Sequence, residues 1–291
     1  MFDGFQTEHL DVGRGRLRVR HAGPGRRSCW STAIPGHTPL GTGSLPRSRP
    51  PATGSCARTC AATASLLHPP ICRTTRRPAS ERWPRTWSSS WRGLGHQRFH
   101  AVGHDRGGYV VGRLALDHPH AVDRIVILGD VPIGEALTRC DARFAQSWWH
   151  WFFIGQPAPL AERLIAADVE AWYDLDQTLM GAENYADADR AVANPAVQHA
   201  MCEDYRAGLG VDRAADDADR HAGRQITSPL LVLWGIRDDL ADLYDNDVLG
   251  VWDPWATELS GHGLESAHHI AEEAPQELTH ALLTFFRHTV R

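Results

Sequence analysis

The hexapeptide Gly103-His104-Asp105-Arg106-Gly107-Gly108 constrains this chain more than any other stretch, because it sits where a strand hands over to a helix. Phe99-His100-Ala101-Val102 reads as a short strand entering the turn. Tyr109 to His118 follows with helical spacing at Val110, Val111, Leu114 and Ala115, and Pro119 ends it. A G-x-D-x-G turn in that setting has the form of a nucleophile elbow with a carboxylate in place of a hydroxyl. The tight turn demands glycines around the reactive residue, lifts its side chain above the strand end and sets backbone N–H groups beside it. A carboxylate nucleophile suits displacement at saturated carbon, because the ester it forms can later be cleaved by water. The plainer alternative is Asp105 as an ordinary helix N-cap.

Around the elbow the chain alternates strands and helices. Leu10, Val12, Leu17 and Val19 alternate with Arg16, Arg18 and Arg20 about Gly13 and Gly15, which predicts an opening β-hairpin over 9–23. Arg124–Leu128 and Leu230–Trp234 (after Pro229) read as buried strands, and Glu277–Phe286 as an amphipathic closing helix. This alternation predicts an α/β fold with a mostly parallel central sheet covered on both faces. The segment 134–222 is mostly helical in pattern and carries the aromatic run Trp148-Trp149-His150-Trp151-Phe152-Phe153. Inserted between two strands, it is expected to form a helical cap. The core is then 1–133 and 223–291, the plan of an α/β-hydrolase, within a length of 291 residues.

Residues 27–91 break the pattern. Between Ser28 and Trp91 the only acidic residue is Glu81, although the chain has 35, and Pro, Arg, Ser and Thr crowd the stretch without either periodicity. A disordered Pro-rich insertion is one reading. The other is a slipped reading frame. If each true codon takes the third base of one printed codon and two bases of the next, Ser31–Pro35 permits His-Gly-His-Pro after a buried strand. In the same way 76–91 permits an amphipathic helix that runs in frame into Arg92.

A net charge of −5 gives no reason to expect nucleic acid or an anionic membrane as partner. No apolar run approaches the roughly 18 residues of a membrane helix, and the N-terminus lacks a signal pattern, so a cytoplasmic protein with a small-molecule substrate is expected. A homodimer stays open. Four of the six cysteines (Cys29, Cys56, Cys60, Cys72) lie in the anomalous stretch, and Cys140 and Cys202 lack ligand spacing, so neither metal nor cofactor is implied.

The chain order nucleophile, acid, histidine points to His268 near the C-terminus as the base that activates water against the ester. Spacing alone does not separate it from His269. Its orienting acid is Asp130, after the strand ending at Leu128, or else Asp238 or Asp239, after the strand ending at Trp234.

These residues resemble the haloacetate (fluoroacetate) dehalogenases of the α/β-hydrolase superfamily. The resemblance rests on the elbow at 103–108, His150-Trp151-Phe152-Phe153 with Gln156-Pro157-Ala158-Pro159-Leu160, Cys202-Glu203-Asp204-Tyr205-Arg206-Ala207-Gly208, and Ser266-Ala267-His268 leading into 271–275. It implies that Asp105 attacks the halogen-bearing carbon and that Arg106 holds the substrate carboxylate. It also implies that His150, Trp151 and Tyr205 donate hydrogen bonds to the departing halide, and that His268 is the catalytic histidine. Without it, Trp151 and its neighbours read as cap core. The chain departs from the family at three places: Tyr109 stands where a second substrate-binding Arg is found, the family's acid aligns with Gly129, one place before Asp130, and the HGxP turn whose backbone supports the active site is absent from the sequence. An epoxide hydrolase using Asp105, His268 and the phenols of Tyr205 and Tyr173 is the competing activity. A non-functional product of a shifted gene is the third reading.

Overall fold

The computed structural model describes strand backbone at 6–11, 16–21, 28–32 and 65–67, and residues 98–287 with their side chains. Strands β1 (Gln6–Asp11) and β2 (Arg16–His21) form an antiparallel hairpin with Leu10 opposite Leu17, as the alternation predicts. Strand β3 covers Ser28–Thr32, and β4 (Ser65–Leu67) pairs with β2. The apolar runs then supply β5 (Phe99–His104), β6 (Val122–Leu128) and β7 (Leu230–Gly235), and β8 (Leu259–Leu264) completes a five-stranded sheet in the order β3-β5-β6-β7-β8. All four pairings in that sheet are parallel. The recoded His-Gly-His-Pro turn and the helix expected over 76–91 lie outside the described residues.

The two-residue period of the strands divides the core. Ala101, Ile125, Ile127, Leu230 and Val232 join one buried cluster, with Val111 and Leu114 of the elbow helix (Arg106–Asp117). Val102, Val126, Leu128, Leu231 and Leu233 join the other, with Leu278 and Leu282 of the closing helix (Pro275–Arg287). A sheet covered on both faces has continuous apolar strands, which is why these runs were legible. Each such side chain, fully buried, is worth about 1.5–3 kcal/mol.

Strand β8 has no counterpart in the sequence reading. Its text, Leu-Ser-Gly-His-Gly-Leu, has low strand propensity. Among the described residues it lies at the end of the sheet with one strand neighbour, and that neighbour explains a glycine. A Cβ on Gly261 would lie 2.2 Å from the Val232 carbonyl oxygen.

Between β6 and β7 the chain is helical from Ile133–Thr138 to Arg213–His221. This segment is clamped to the elbow helix by charge. Arg113, buried, donates to both oxygens of Asp117 and pairs with Asp219 at 2.5 Å, while Asp216 accepts from the Gly134 N–H at 3.0 Å. The ends of β5, β6, β7 and β8 therefore open on one edge of the sheet, where ligands bind in open α/β folds.

Candidate active site

Asp105 follows the last residue of β5 with φ 50° and ψ −129°, a backbone conformation that costs energy in any residue but glycine. The turn closes tightly enough that a Cβ on Gly103 would lie 2.1 Å from the Gly107 carbonyl oxygen. The Asp105 N–H is anchored on the Leu128 carbonyl at 3.0 Å, tying the elbow to β6. Although Asp105 occupies the N-cap position, its side chain makes no capping hydrogen bond. It faces His268 instead, with Oδ2 3.6 Å from Nε2.

His268 comes from the loop after β8, which packs on the end of β7. A Cβ on Gly235 would lie 2.1 Å from the Ala267 carbonyl oxygen, and the Ile236 and Arg237 N–H groups donate to Leu264 and Ser266 at 2.9 Å each. Its Nδ1 lies 3.0 Å from Oδ2 of Asp238, so one imidazole stands between two carboxylates. Of the two adjacent histidines only His268 has that placement. The side chains of Asp105 and His268 keep 28% and 38% of their surface exposed.

The first-choice orienting acid, Asp130, is not brought to His268. Gly129 has φ +59°, and a Cβ built on it would lie 3.8 Å from His268 Nδ1. An acid at 129 would thus begin beside the imidazole. One residue later the side chain is re-aimed: Asp130 Oδ1 accepts from the Val131 N–H at 2.8 Å, and Oδ2 lies against Gly108 without a hydrogen-bond partner among the described residues. Asp239, the other candidate, accepts instead from Trp148 Nε1 at 2.9 Å.

The charges are coupled. Burial alone would raise the Asp105 carboxyl, but the hydrogen bond and charge of His268 overcome it and hold it well below the usual carboxylate range. Burial would likewise lower His268, yet the two carboxylates push it well above its ordinary value. Asp130 goes the other way: burial, reinforced by the charge of Asp105, raises it strongly. Two outcomes follow. Asp238→Asn leaves an amide oxygen that can accept from Nδ1 but removes the carboxylate charge that supports the imidazolium, so turnover should fall about 10–100-fold, measured as kcat. Asp130→Asn should leave the imidazole pairing intact. Its stability effect has a definite sign, because an acid held protonated when folded but ionised when unfolded destabilises increasingly as pH rises above the unfolded value near 4. The Tm of Asp130→Asn should therefore gain on the wild type between pH 4 and pH 8.

The helical segment supplies the remaining side chains. The helix Trp149–Ile154 carries His150 and Trp151, and Pro195–Ala207 carries Asp204 and Tyr205. The Tyr205 ring meets those of His150 and Trp151 at 5.9 and 6.2 Å. Burial lowers His150 and raises Tyr205, and the charge of Asp105 acts on both. Arg106 is buried with its guanidinium 5.1–5.8 Å from the rings of Tyr109, Trp151 and Tyr205. Its Nε donates to Asp204 Oδ2 at 2.7 Å and Nη2 to the Asp204 carbonyl at 3.0 Å, so its charge already has a carboxylate within the protein. Sequence reasoning missed this partner, although Asp204 lies inside a quoted motif. Tyr109 is buried, its hydroxyl without a hydrogen-bond partner among the described residues. Tyr173 donates to Met201 Sδ at 3.4 Å. Among the described residues no group of three His, Cys, Asp or Glu side chains is arranged to hold a metal ion, and no helix is long and apolar enough to cross a membrane.

A family model described as the alpha/beta hydrolase fold matches residues 92–268. The chain belongs to this family. A fluoroacetate dehalogenase from Burkholderia sp is 34% identical over 202 residues, covering 67% of this chain and 65% of that protein. A soluble epoxide hydrolase from Corynebacterium sp. (strain C12) is 27% identical over 207 residues, covering 66% of this chain and 68% of that one. The chain thus spans about two thirds of the length of either relative. Among solved structures, ALR0039 from Nostoc sp PCC 7120, classed with the alpha/beta hydrolases, has a TM-score of 0.84 at 30% identity, covering 99% of this chain and 100% of that one. A Pseudomonas aeruginosa protein classed with the epoxide hydrolases, solved as its t131d mutant with bound MFA, has a TM-score of 0.81 at 33% identity, covering 97% and 96%. The elbow, β6, β7 and the His268 loop of this α/β-hydrolase all fall within the matched residues.

Proposed function

We propose that this α/β-hydrolase displaces halide from a small 2-halo acid through an ester on Asp105. The observation that carries the reading is the imidazole of His268 held between Asp105 and Asp238 above a strained elbow. An Asp105 oxygen attacks the halogen-bearing carbon; the new C–O bond forms as the carbon–halogen bond breaks, and halide leaves with the electron pair. His150, Trp151 and Tyr205 are the donors grouped to receive it. Arg106 holds the substrate carboxylate with the N–H groups that Asp204 does not occupy, and Tyr109 contributes bulk without charge.

Ester formation then changes His268. With the negative charge of Asp105 consumed, one of the two groups that keep the imidazole protonated is gone, and its proton affinity falls. The neutral ring takes a proton from water, the hydroxide adds to the ester carbonyl, the bond to the hydroxy acid breaks as the imidazolium protonates the departing alkoxide, and the carboxyl left on Asp105 releases its proton to solvent to restore the carboxylate. The fluoroacetate dehalogenase relative supports this substrate class. The competing epoxide reading calls for two phenols at the oxygen, whereas Tyr173 is committed to Met201. Wild-type protein should release halide from chloroacetate or fluoroacetate with glycolate as the organic product. Diol formation from styrene oxide without halide release from either acid would replace this reading with the epoxide one.

The proposal keeps a cytoplasmic enzyme that needs no cofactor. It also keeps 27–91 as the trace of a slipped frame, supported by a family match that begins at Arg92, where the printed text becomes coherent. The nucleotide sequence across codons 26–92 decides that point, and a confirmed uninterrupted frame would remove it.

A further inference from the structure

One side chain joins the nucleophile's strand directly to the histidine's loop across 164 residues of chain. His104, the last residue of β5, is buried, and its Nε2 lies 2.8 Å from the carbonyl oxygen of His268. A carbonyl only accepts, so Nε2 carries the proton and donates. The His104 ring also packs against that of His268, with centroids 4.8 Å apart and planes tilted by 43°, and reaches the edge of His269 at 6.4 Å. Behind it stands Gly129, whose missing side chain leaves 3.8 Å between a built Cβ and the His104 ring. The ring therefore fills the space between the ends of β5 and β6 and the loop that follows β8.

His268 has two kinds of restraint. Asp238 fixes the ring through Nδ1, but nothing in that bond sets the position of the His268 backbone. The His268 carbonyl accepts from the Ile270 N–H at 3.0 Å within its own loop, and the bond from His104 is the one that reaches it from outside that loop, from the residue next to the nucleophile. Motion of the elbow and motion of the histidine loop are thereby linked, which keeps Nε2 of His268 in register with the Asp105 carboxylate. We propose that His104 is a positioning residue for the ester-cleaving step, acting by donating from Nε2 to the His268 carbonyl. The inference rests on the two-step reading above. It predicts that the first displacement, which uses Asp105 and the halide donors, runs without His104, whereas the second, which needs His268 in place, does not. Burial and the neighbouring His268 pull the His104 ring down to about 3, so it stays neutral and keeps one donor and one acceptor nitrogen across the working range.

The test compares His104→Gln, whose amide nitrogen reaches the place of Nε2, with His104→Leu and with His104→Asn, whose amide falls short of it. With chloroacetate, His104→Leu and His104→Asn should release one equivalent of halide quickly and then turn over about 10–100-fold more slowly, with the ester on Asp105 visible by intact-protein mass spectrometry. His104→Gln should stay within several-fold of the wild type. Should Leu fail to fold, the Asn–Gln contrast carries the same information. A second readout needs no substrate. The imidazole nitrogen-15 signals of His268 should show a raised pKa in the wild type and in Gln, and a lower one with broadened signals in Leu and Asn. Absence of halide from the wild type would count against the proposed activity, while this titration still judges His104. Equal turnover in all three variants, or an identical His268 titration in all of them, would overturn the inference.

Discussion

Asp105→Asn should abolish halide release, lowering turnover by on the order of 10⁴-fold or more, while the protein folds as before. The carboxamide is close to isosteric, so the elbow keeps its glycines and its bond to Leu128, but its neutral oxygen has lost the negative charge that makes the carboxylate a nucleophile. The same variant separates this account from the N-cap alternative. A lost cap costs about 1 kcal/mol of stability and leaves chemistry elsewhere untouched, and here the side chain makes no cap bond to lose. A second consequence is electrostatic. His268 is pushed above its ordinary value by Asp105 and Asp238 together, so removing one charge should bring its titration down. In the wild type the pairing contributes stability that is fully present below about pH 6.5, the unfolded value, and is lost as pH rises through the higher folded value. Asp105→Asn should narrow that window at its alkaline end, as read by Tm against pH.

His268→Gln should fail differently. The displacement step needs no base, so each active site should release one halide and then stall, with turnover lowered about 10²–10⁴-fold. The stalled species is the ester on Asp105, recoverable by mass spectrometry of the peptide containing 103–108. A variant that loses the burst together with turnover would show that His268 serves the first step as well.

The parts of this molecule that could be read from sequence are those where one physical requirement dominates. Runs such as Ile125–Leu128 must bury both faces of a parallel sheet, and so carry no polar residue to confuse them. The elbow announces itself because the close approach of the backbone at 103 and 107 requires glycine two residues before the strained Asp105 and favours it two residues after. The acid that meets His268 was not fixed by such a rule. Asp130 and Asp238 both follow strands of the same sheet, and a one-residue offset behind Gly129 decides between them through direction alone. Arg106–Asp204 and His104–His268 were hidden for a related reason: each joins residues about 100 or more apart in the chain, and no local pattern marks either partner. Strand β8 escaped because its glycines answer to a neighbour's backbone rather than to strand propensity.

The central claim is that a side-chain oxygen of Asp105, and not water, makes the first bond to carbon. A single turnover of excess enzyme with chloroacetate in oxygen-18-labelled water tests it most directly. The label should enter the carboxylate of Asp105, found in the peptide spanning 103–108, while the glycolate of that first turnover takes its new oxygen, unlabelled, from the protein. Labelled glycolate in the first turnover, with no label on Asp105, would contradict it.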